Sequence, residues 1–398
     1  MKNIFIIGSK GIPAQYGGFE TFVEKLTEGM INENIKYHVA CMSDNTDEYE
    51  YNGAHCFNIS VPNIGAAKAV FYDCKAFVYC LNYIKKNNIN DAIVYVLACR
   101  IGPFIKILKN ALSNLGGTLF VNPDGHEWKR AKWNKAIKRY WKMSERLMVK
   151  YADLLICDSS NIEKYIRKEY RRFSPKTKFI AYGADISKCP LTLSDPKVRD
   201  WYDNKHIKEN SYYLVVGRFV PENNYESMIK GFMKSRTRKD LVIITNVEHN
   251  KFYVNLKEKT MFDTDPRIKF VGTVYDQELL SYIRENAFGY IHGHEVGGTN
   301  PSLLEALAST PLNLLLDVGF NKEVGRDGAL YWSKESNSLS TLLNKVDNFS
   351  QEQIELFSRK AKARISSYYN WKNIIAKYED VWLNENKEDE KNEDTSDI

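Results

Sequence analysis

The sequence predicts an α/β protein built of two Rossmann-like, doubly wound parallel sheets that face one another across a cleft. Three observations carry this prediction. Strand-like and helix-like stretches alternate along most of the chain, the pattern of βαβ units with helices on both faces of a sheet. The alternation is interrupted by a polar, loop-like stretch from Gly183 to Asn210 and then begins again. At 398 residues the chain also exceeds one ordinary core, so two domains are expected.

Apolar spacing sets the elements in order. Strand 3–8 leads through loop 10–18 to helix 19–32, with Phe22, Val23, Leu26 and Met30 on one face. Strands 35–42 and 55–59, helix 66–86, strand 92–97, helix 103–115 and strand 118–121 follow. A long basic helix is expected over 129–150, then strand 153–157, helix 161–167 and a last strand, 178–182. In the second half, strands are expected at 212–216, 241–245, 268–271, 288–291 and 312–315. Ligands of such sheets bind beyond the carboxyl ends of strands, so loops after strands are where chemistry is sought.

Composition narrows the function classes. With 43% hydrophobic and 27% charged residues, the chain reads as a globular protein. No apolar run approaches the roughly 20 residues that span a bilayer. Met1–Gly8 is too short in its apolar part for a signal peptide and flows into a glycine loop. The seven cysteines form no Cys-x-x-Cys pair, which suits reduced thiols in the cytoplasm and no zinc site. The net charge of +6 combines an acidic tail, 385–398, with a strongly basic remainder; the tail reads as disordered.

The most informative stretch is His292–Ala308, His-Gly-His-Glu-Val-Gly-Gly-Thr-Asn-Pro-Ser-Leu-Leu-Glu-Ala-Leu-Ala. It follows an apolar strand and enters a helix at Asn300 (cap) and Pro301 (first turn). A strand, the loop Gly297-Gly298-Thr299 and a helix start form an anion site, where backbone N–H groups and the positive dipole end converge. Glu305, one turn in, is placed to reach a sugar hydroxyl. The combination points to a nucleotide diphosphate-sugar. Three further loops join it. Arg218, after strand 212–216, suits a diphosphate because its planar fork binds two oxygens and stays charged. Gly17 and Gly18 allow backbone N–H groups to close on a phosphate or acceptor oxygen. The loop Asn122–Trp128 offers His126, Asp124 and Glu127 as hydrogen-bonding partners of a sugar or acceptor. Neither a Gly-x-Gly-x-x-Gly fingerprint nor a P-loop is present in the first glycine loop.

Between His126 and Lys150 lie nine lysines and arginines against two glutamates, interleaved with Trp128, Trp133, Tyr140 and Trp141. Cations attract an anionic leaflet, and Trp and Tyr favour its headgroup zone. Trp128, Lys129, Arg130, Lys132 and Trp133 are therefore candidates for a membrane and acceptor face. No nucleic-acid motif accompanies them, so nucleic acid is not expected as a partner.

Taken together, Val216-Gly217-Arg218-Phe219-Val220-Pro221-Glu222, Pro301–Ala308 and Gly17-Gly18-Phe19-Glu20-Thr21 resemble retaining nucleotide-sugar glycosyltransferases of the GT-B fold. The opening run Ile6–Val23 resembles, more narrowly, bacterial rhamnosyltransferases of capsule and group-carbohydrate synthesis. The resemblance spans Met1 to about Leu383. It implies an acceptor-binding domain 1–185, a nucleotide-sugar domain 186–369, and a helix 370–384 crossing back onto the first domain. Trp371, Ile374, Ile375, Tyr378 and Trp382 have the spacing for that helix.

The resemblance further implies a hexosyltransferase that moves L-rhamnose from dTDP-β-L-rhamnose to a lipid-diphosphate-linked GlcNAc or glucose, at the cytoplasmic face of the inner membrane. It implies retention at the anomeric carbon with neither cofactor nor metal. Arg218, the helix start and the Gly17–Gly18 N–H groups would stabilise the leaving diphosphate, and Glu305 would hold the ribose. Two positions depart from the superfamily. The glutamate expected eight residues before Glu305 is Gly297, which leaves Glu295 as the nearest acid, and the lysine expected five residues after Arg218 is Asn223. Alternatives are a transferase using UDP-glucose or another nucleotide sugar, an epimerase of the same fold, or a non-catalytic membrane-docked scaffold.

Overall fold

The computed structural model describes residues 1–15, 17–130, 133–247 and 249–393, without the side chains of Ala66 and of 385–393. The chain forms two compact units. One comprises Met1–Lys129, Trp133–Tyr182 and the chain from Trp371 onward; the other comprises Arg130–Lys132 and Gly183–Asn370.

The first unit contains β1 (Lys2–Ile7), α1 (Gly18–Glu28), β2 (Ile35–Ser43), β3 (Glu48–Tyr51), β4 (Ala54–Ser60), α2 (Lys68–Lys86), β5 (Ile93–Leu97), α3 (Gly102–Ser113), β6 (Thr118–Asn122), α4 (Lys135–Tyr151), β7 (Leu154–Cys157), α5 (Ser160–Glu169) and β8 (Thr177–Phe179). Its sheet runs β3-β4-β2-β1-β5-β6-β7-β8. The pairings are parallel except β3 with β4. β5 is buried along its whole length, as a strand covered on both faces requires. β3 is the antiparallel edge; its Glu-Tyr-Glu-Tyr sequence turns the tyrosines inward and the glutamates to solvent. The sequence reading passed over it because four alternating residues carry little signal.

The second unit contains α6 (Pro196–Lys205), β9 (Tyr212–Val216), α7 (Tyr225–Met233), β10 (Asp240–Ile244), α8 (Lys251–Thr260), β11 (Ile268–Gly272), α9 (Gln277–Glu285), β12 (Gly289–His292), α10 (Pro301–Ser309), β13 (Asn313–Leu316), α11 (Gly319–Gly325), β14 (Leu330–Trp332), α12 (Ser338–Val346) and α13 (Gln351–Arg364). The sheet order is β11-β10-β9-β12-β13-β14, parallel throughout. α6 lies within the stretch expected to be a loop. It starts on Pro196 and buries Val198 and Tyr202 in an otherwise polar helix, too little for apolar spacing to reveal.

The last helix, α14 (Trp371–Glu393), belongs to the first unit. Trp371, Ile374, Ile375, Tyr378 and Trp382 are buried. Trp382 Nε1 donates to the Tyr37 hydroxyl at 3.2 Å, and Glu379 accepts the Ile31 N–H at 2.6 Å. The helix runs past 384, so the backbone of 385–393, expected to be disordered, is helical; 394–398 lie outside the described residues. The basic helix expected from Lys129 starts instead at Lys135, because Asn134 caps it by accepting the Ile137 N–H at 3.0 Å; 127–129 form a single 3-10 turn.

Two outcomes test this packing. α3 enters against α4 at Gly102, where an added Cβ would lie 2.4 Å from the Ser144 carbonyl oxygen. Gly102→Ala is expected to lower unfolding free energy by about 1–3 kcal/mol in chemical denaturation. His38 is buried between Asn3 Oδ1 and His55 Nδ1, each at 3.0 Å. Burial, then the His55 and Lys36 charges, lower its pKa to about 3. The unfolded chain takes up that proton near pH 6.5 while the folded chain does not, so this stability is present above pH 6.5 and is lost as pH falls from 6.5 toward 3. His38→Gln is expected to flatten the decline of melting temperature with acidity; an unchanged slope would contradict it.

Candidate donor site at the switch point of the second sheet

In the second sheet, β10 and β11 lie on one side of β9, and β12, β13 and β14 on the other. Winding therefore reverses between β9 and β12, the position beyond whose strand ends open parallel sheets bind ligands. The two loops leaving these strands are laid against each other. Asn224 Nδ2 donates to the Gly293 carbonyl at 2.8 Å, and the Glu295 N–H donates to the Glu222 carbonyl at 3.1 Å. Asn223 Nδ2 donates to the Arg218 carbonyl at 2.7 Å, and its Oδ1 faces His294 Nδ1 at 2.7 Å. A Cβ on Gly293 would sit 2.4 Å from the Asn223 carbonyl oxygen, so this approach needs glycine.

Arg218 stands at the end of β9 with its side chain exposed, and no described residue pairs with its guanidinium. Tyr290, on β12, donates to the Val216 carbonyl at 3.2 Å and stands 3.2 Å from Ser302 Oγ, which ties β9 and β12 to the first turn of α10. Asn300 caps α10 through the Leu303 N–H at 3.3 Å, with Leu303, Leu304 and Leu307 in the core. Pro301 carries no N–H, and the Leu303 and Leu304 N–H groups return to the Asn300 carbonyl at 3.1 and 3.2 Å, so the helix start offers an anion the positive end of its dipole. Gly297, at φ 136, holds the loop into that turn in a conformation few other residues adopt; Gly298 and Thr299 follow it, and Thr299 is buried.

Two histidines, to which the sequence reading gave no role, lie under this site. Burial and the His294 charge lower His292 to about 3, and its Nε2 is buried without a partner. Burial, then the charges of Arg130 and Arg218, lower His294 to about 3. Both rings are neutral at physiological pH and add no repulsion to the cations. Their place in the His-Gly-His-Glu run after a strand was the available signal.

The carboxylates have partners of their own. Glu305 meets buried Arg284 Nη2 at 2.5 Å, and Glu295 is ion-paired with Lys334. Each keeps part of its surface exposed, 37% and 29% of the side chain, so neither is sealed from a ligand.

The first unit has its own reversal of winding, between β1 and β5. The loop leaving β1 ends at Gly17, the cap of α1, and Gly18, its first residue. Carboxylates of α1 stitch it down: Glu20 accepts the Lys10 N–H at 2.7 Å and Glu24 the Ala14 N–H at 3.0 Å. Beyond β5, Arg100 Nη1 donates to the Gly8 carbonyl at 2.6 Å and meets Asp73 at 3.1 Å. Burial raises Asp73 to about 6 against the pull of Arg100. Sequence reasoning missed this pair.

After β6, Asp124 and His126 occupy left-handed backbone conformations, φ 55 and 46. The His126 ring lies 4.2 Å from that of Tyr165, and burial, then Lys129 and Lys142, lower it to about 4. At the membrane face expected over 128–133, the tryptophans make internal contacts. The Lys142 ammonium sits 4.7 Å over Trp128, and Trp133 donates to Glu127 at 2.8 Å with its ring 6.1 Å from that of Trp141. The two tryptophans are thus half-buried in internal contacts, while Lys129 is exposed. Arg130 belongs to the second unit, with its charge felt at His294, and Lys132 lies outside the described residues.

Residues 1–185 match the family model described as a domain of unknown function, DUF1972. No curated protein matches the sequence significantly. Among solved structures, a sucrose-phosphate synthase from Thermosynechococcus elongatus is similar at TM-score 0.77 and 14% identity, over 96% of this chain and 98% of that one. The trehalose 6-phosphate synthase of Burkholderia multivorans gives 0.72 at 10% identity, over 98% of each chain. HepE of Anabaena, solved in complex with UDP and glucose, gives 0.69 at 13% identity, over 96% and 99%. With two parallel sheets in the orders given above, the chain has the GT-B fold of these proteins.

Proposed function

We propose that this protein is a retaining glycosyltransferase that moves L-rhamnose from dTDP-β-L-rhamnose to a lipid-diphosphate-linked GlcNAc or glucose, in cell-surface polysaccharide synthesis at the cytoplasmic membrane face. The observation that carries the transfer reading is the exposed Arg218, without a guanidinium partner among the described residues, on the loop after β9 at the switch point from which β12 leads into α10. A guanidinium that keeps its charge and a helix dipole are what a departing nucleoside diphosphate needs.

In the proposed reaction the bond from the anomeric carbon to the diphosphate oxygen breaks while the acceptor oxygen bonds to that carbon on the same face. The acceptor's proton passes to the departing diphosphate. Arg218 and the positive end of the α10 dipole take up the developing negative charge, so neither a protein nucleophile nor a metal is required. Glu305 receives the ribose, with Arg284 fixing its orientation, and Glu295 lies on the donor-sugar side. His126, neutral at pH 7, and Asp124 serve the acceptor. The sugar and base rest on the resemblance of the opening run Ile6–Val23. A second reading, UDP-glucose as donor, is favoured by the similarity to HepE, which was solved with UDP and glucose.

Arg218→Ala is expected to lower kcat/KM by about 10²–10³-fold, and Arg218→Lys to recover only part, since an ammonium binds one oxygen at a time. Undiminished transfer by Arg218→Ala would end the reading. Glu305→Gln is expected to raise KM for the donor with a smaller effect on kcat, and EDTA to leave turnover unchanged. A panel of labelled nucleotide sugars with GlcNAc- and glucose-diphosphate-lipid decides the donor: transfer from dTDP-rhamnose alone supports the first reading, and transfer from UDP-glucose the second.

A further inference from the structure

An apolar groove of about 490 Å³ opens on the first unit between α2 and α3, with no polar atom on its wall. Its rim leaves large side chains in solvent: Ile107 is 74% exposed, and Phe104, Phe71, Val78 and Ile64 are each close to half exposed. Five such residues around one groove form a contiguous apolar patch, which single exposed side chains do not.

The surrounding charge says what covers it. α2 carries Lys68, Lys75, Lys85 and Lys86, and α3 carries Lys106, with Lys109 turned to an ion pair with Asp153. α4, packed against α3, carries Lys135, Lys138, Arg139, Arg146 and Lys150, while its Lys142 is taken up by Glu145, Glu169 and the Trp128 ring. Against these the three helices hold two carboxylates, Asp73 and Glu145, and both are buried. Their outer surface is therefore cationic with no exposed carboxylate. A second copy seated on the same groove would set lysine against lysine, which opposes a symmetric dimer. A bilayer with anionic headgroups satisfies both parts, phosphate for the cations and acyl chains for the apolar rim. No helix among the described residues is long and apolar enough to cross a membrane, so the contact would be peripheral.

We infer that the α2–α3 groove is the membrane-docking surface of this protein, with Phe71, Phe104 and Ile107 entering the acyl region of an anionic bilayer and Lys68, Lys75 and Lys106 meeting its headgroups. The inference rests on the proposed lipid-linked acceptor for its purpose but on α2, α3 and α4 for its evidence. It moves the membrane face away from Trp128 and Trp133, which are engaged internally.

Flotation of the full chain with phosphatidylglycerol–phosphatidylcholine vesicles, and with phosphatidylcholine alone, tests it. The parent protein is expected to float with the anionic vesicles and to lose most of that binding in high salt or on neutral vesicles. Ile107→Asp and Phe104→Ser, at exposed positions that leave melting temperature unchanged, are expected to weaken flotation roughly tenfold each. Lys106→Glu should weaken it in low salt only. Trp128→Ala should leave it intact. The inference is overturned if Ile107→Asp floats like the parent, if the parent ignores anionic vesicles, or if sedimentation shows a dimer that Ile107→Asp dissolves. Transfer to a short-chain, water-soluble acceptor separates this from the catalytic reading. The groove variants should keep it, whereas its loss in the parent would sink the transfer reading and leave the vesicle result standing.

Discussion

The candidate donor site depends on one close approach, the Gly293 backbone against the Asn223 carbonyl. Only a residue without a side chain lets the loops after β9 and β12 meet there. Once they meet, Asn224 clamps the Gly293 carbonyl, Asn223 bridges the Arg218 carbonyl and the His294 ring, and Glu295 bonds back to Glu222. These bonds hold the backbone from which the Arg218 guanidinium projects and the path from β12 into α10. Asn223 thus has a structural task at the position where the superfamily resemblance implies a lysine: its amide offers a donor to the Arg218 carbonyl and an oxygen facing His294 Nδ1, whereas an ammonium has donors only.

The electrostatics around that point are one-sided. His292 and His294 stay neutral because burial disfavours their charged forms, and the nearby arginines push His294 further the same way. Glu295 and Glu305 are each ion-paired with a cation of their own, Lys334 and Arg284. The guanidinium is left for an anion from solution.

Much of the architecture was legible in the sequence. β5, β9 and β12 are continuous apolar runs bounded by glycines or polar turns, and α10 announces its start with Asn300 and Pro301. Strands of few residues such as β3, or a helix such as α6 with two buried positions, fall below what periodicity reveals. Arg218 and the α10 start were visible because their signals are local. The partners of the carboxylates were not: Lys334 lies 39 residues beyond Glu295 in the chain and Arg284 sits on a different helix from Glu305, so only the fold brings them together. The same limit explains Trp128 and Trp133. Interleaved with cations in the sequence, they look like anchors, yet Lys142 and Glu127 are within reach only once α4 has formed.

The return of α14 to the first unit bears on how the molecule is made. Tyr37, Tyr95 and Phe22 lie against Tyr378 and Trp382, side chains that leave the ribosome after the whole of Gly183–Asn370. Until then those aromatics have no cover, so the stretch matched by the DUF1972 model is not a self-sufficient folding block during synthesis. The earlier-made unit must wait for the later one to be complete, and a nascent chain stalled before Trp371 would present a sticky aromatic surface to chaperones and proteases.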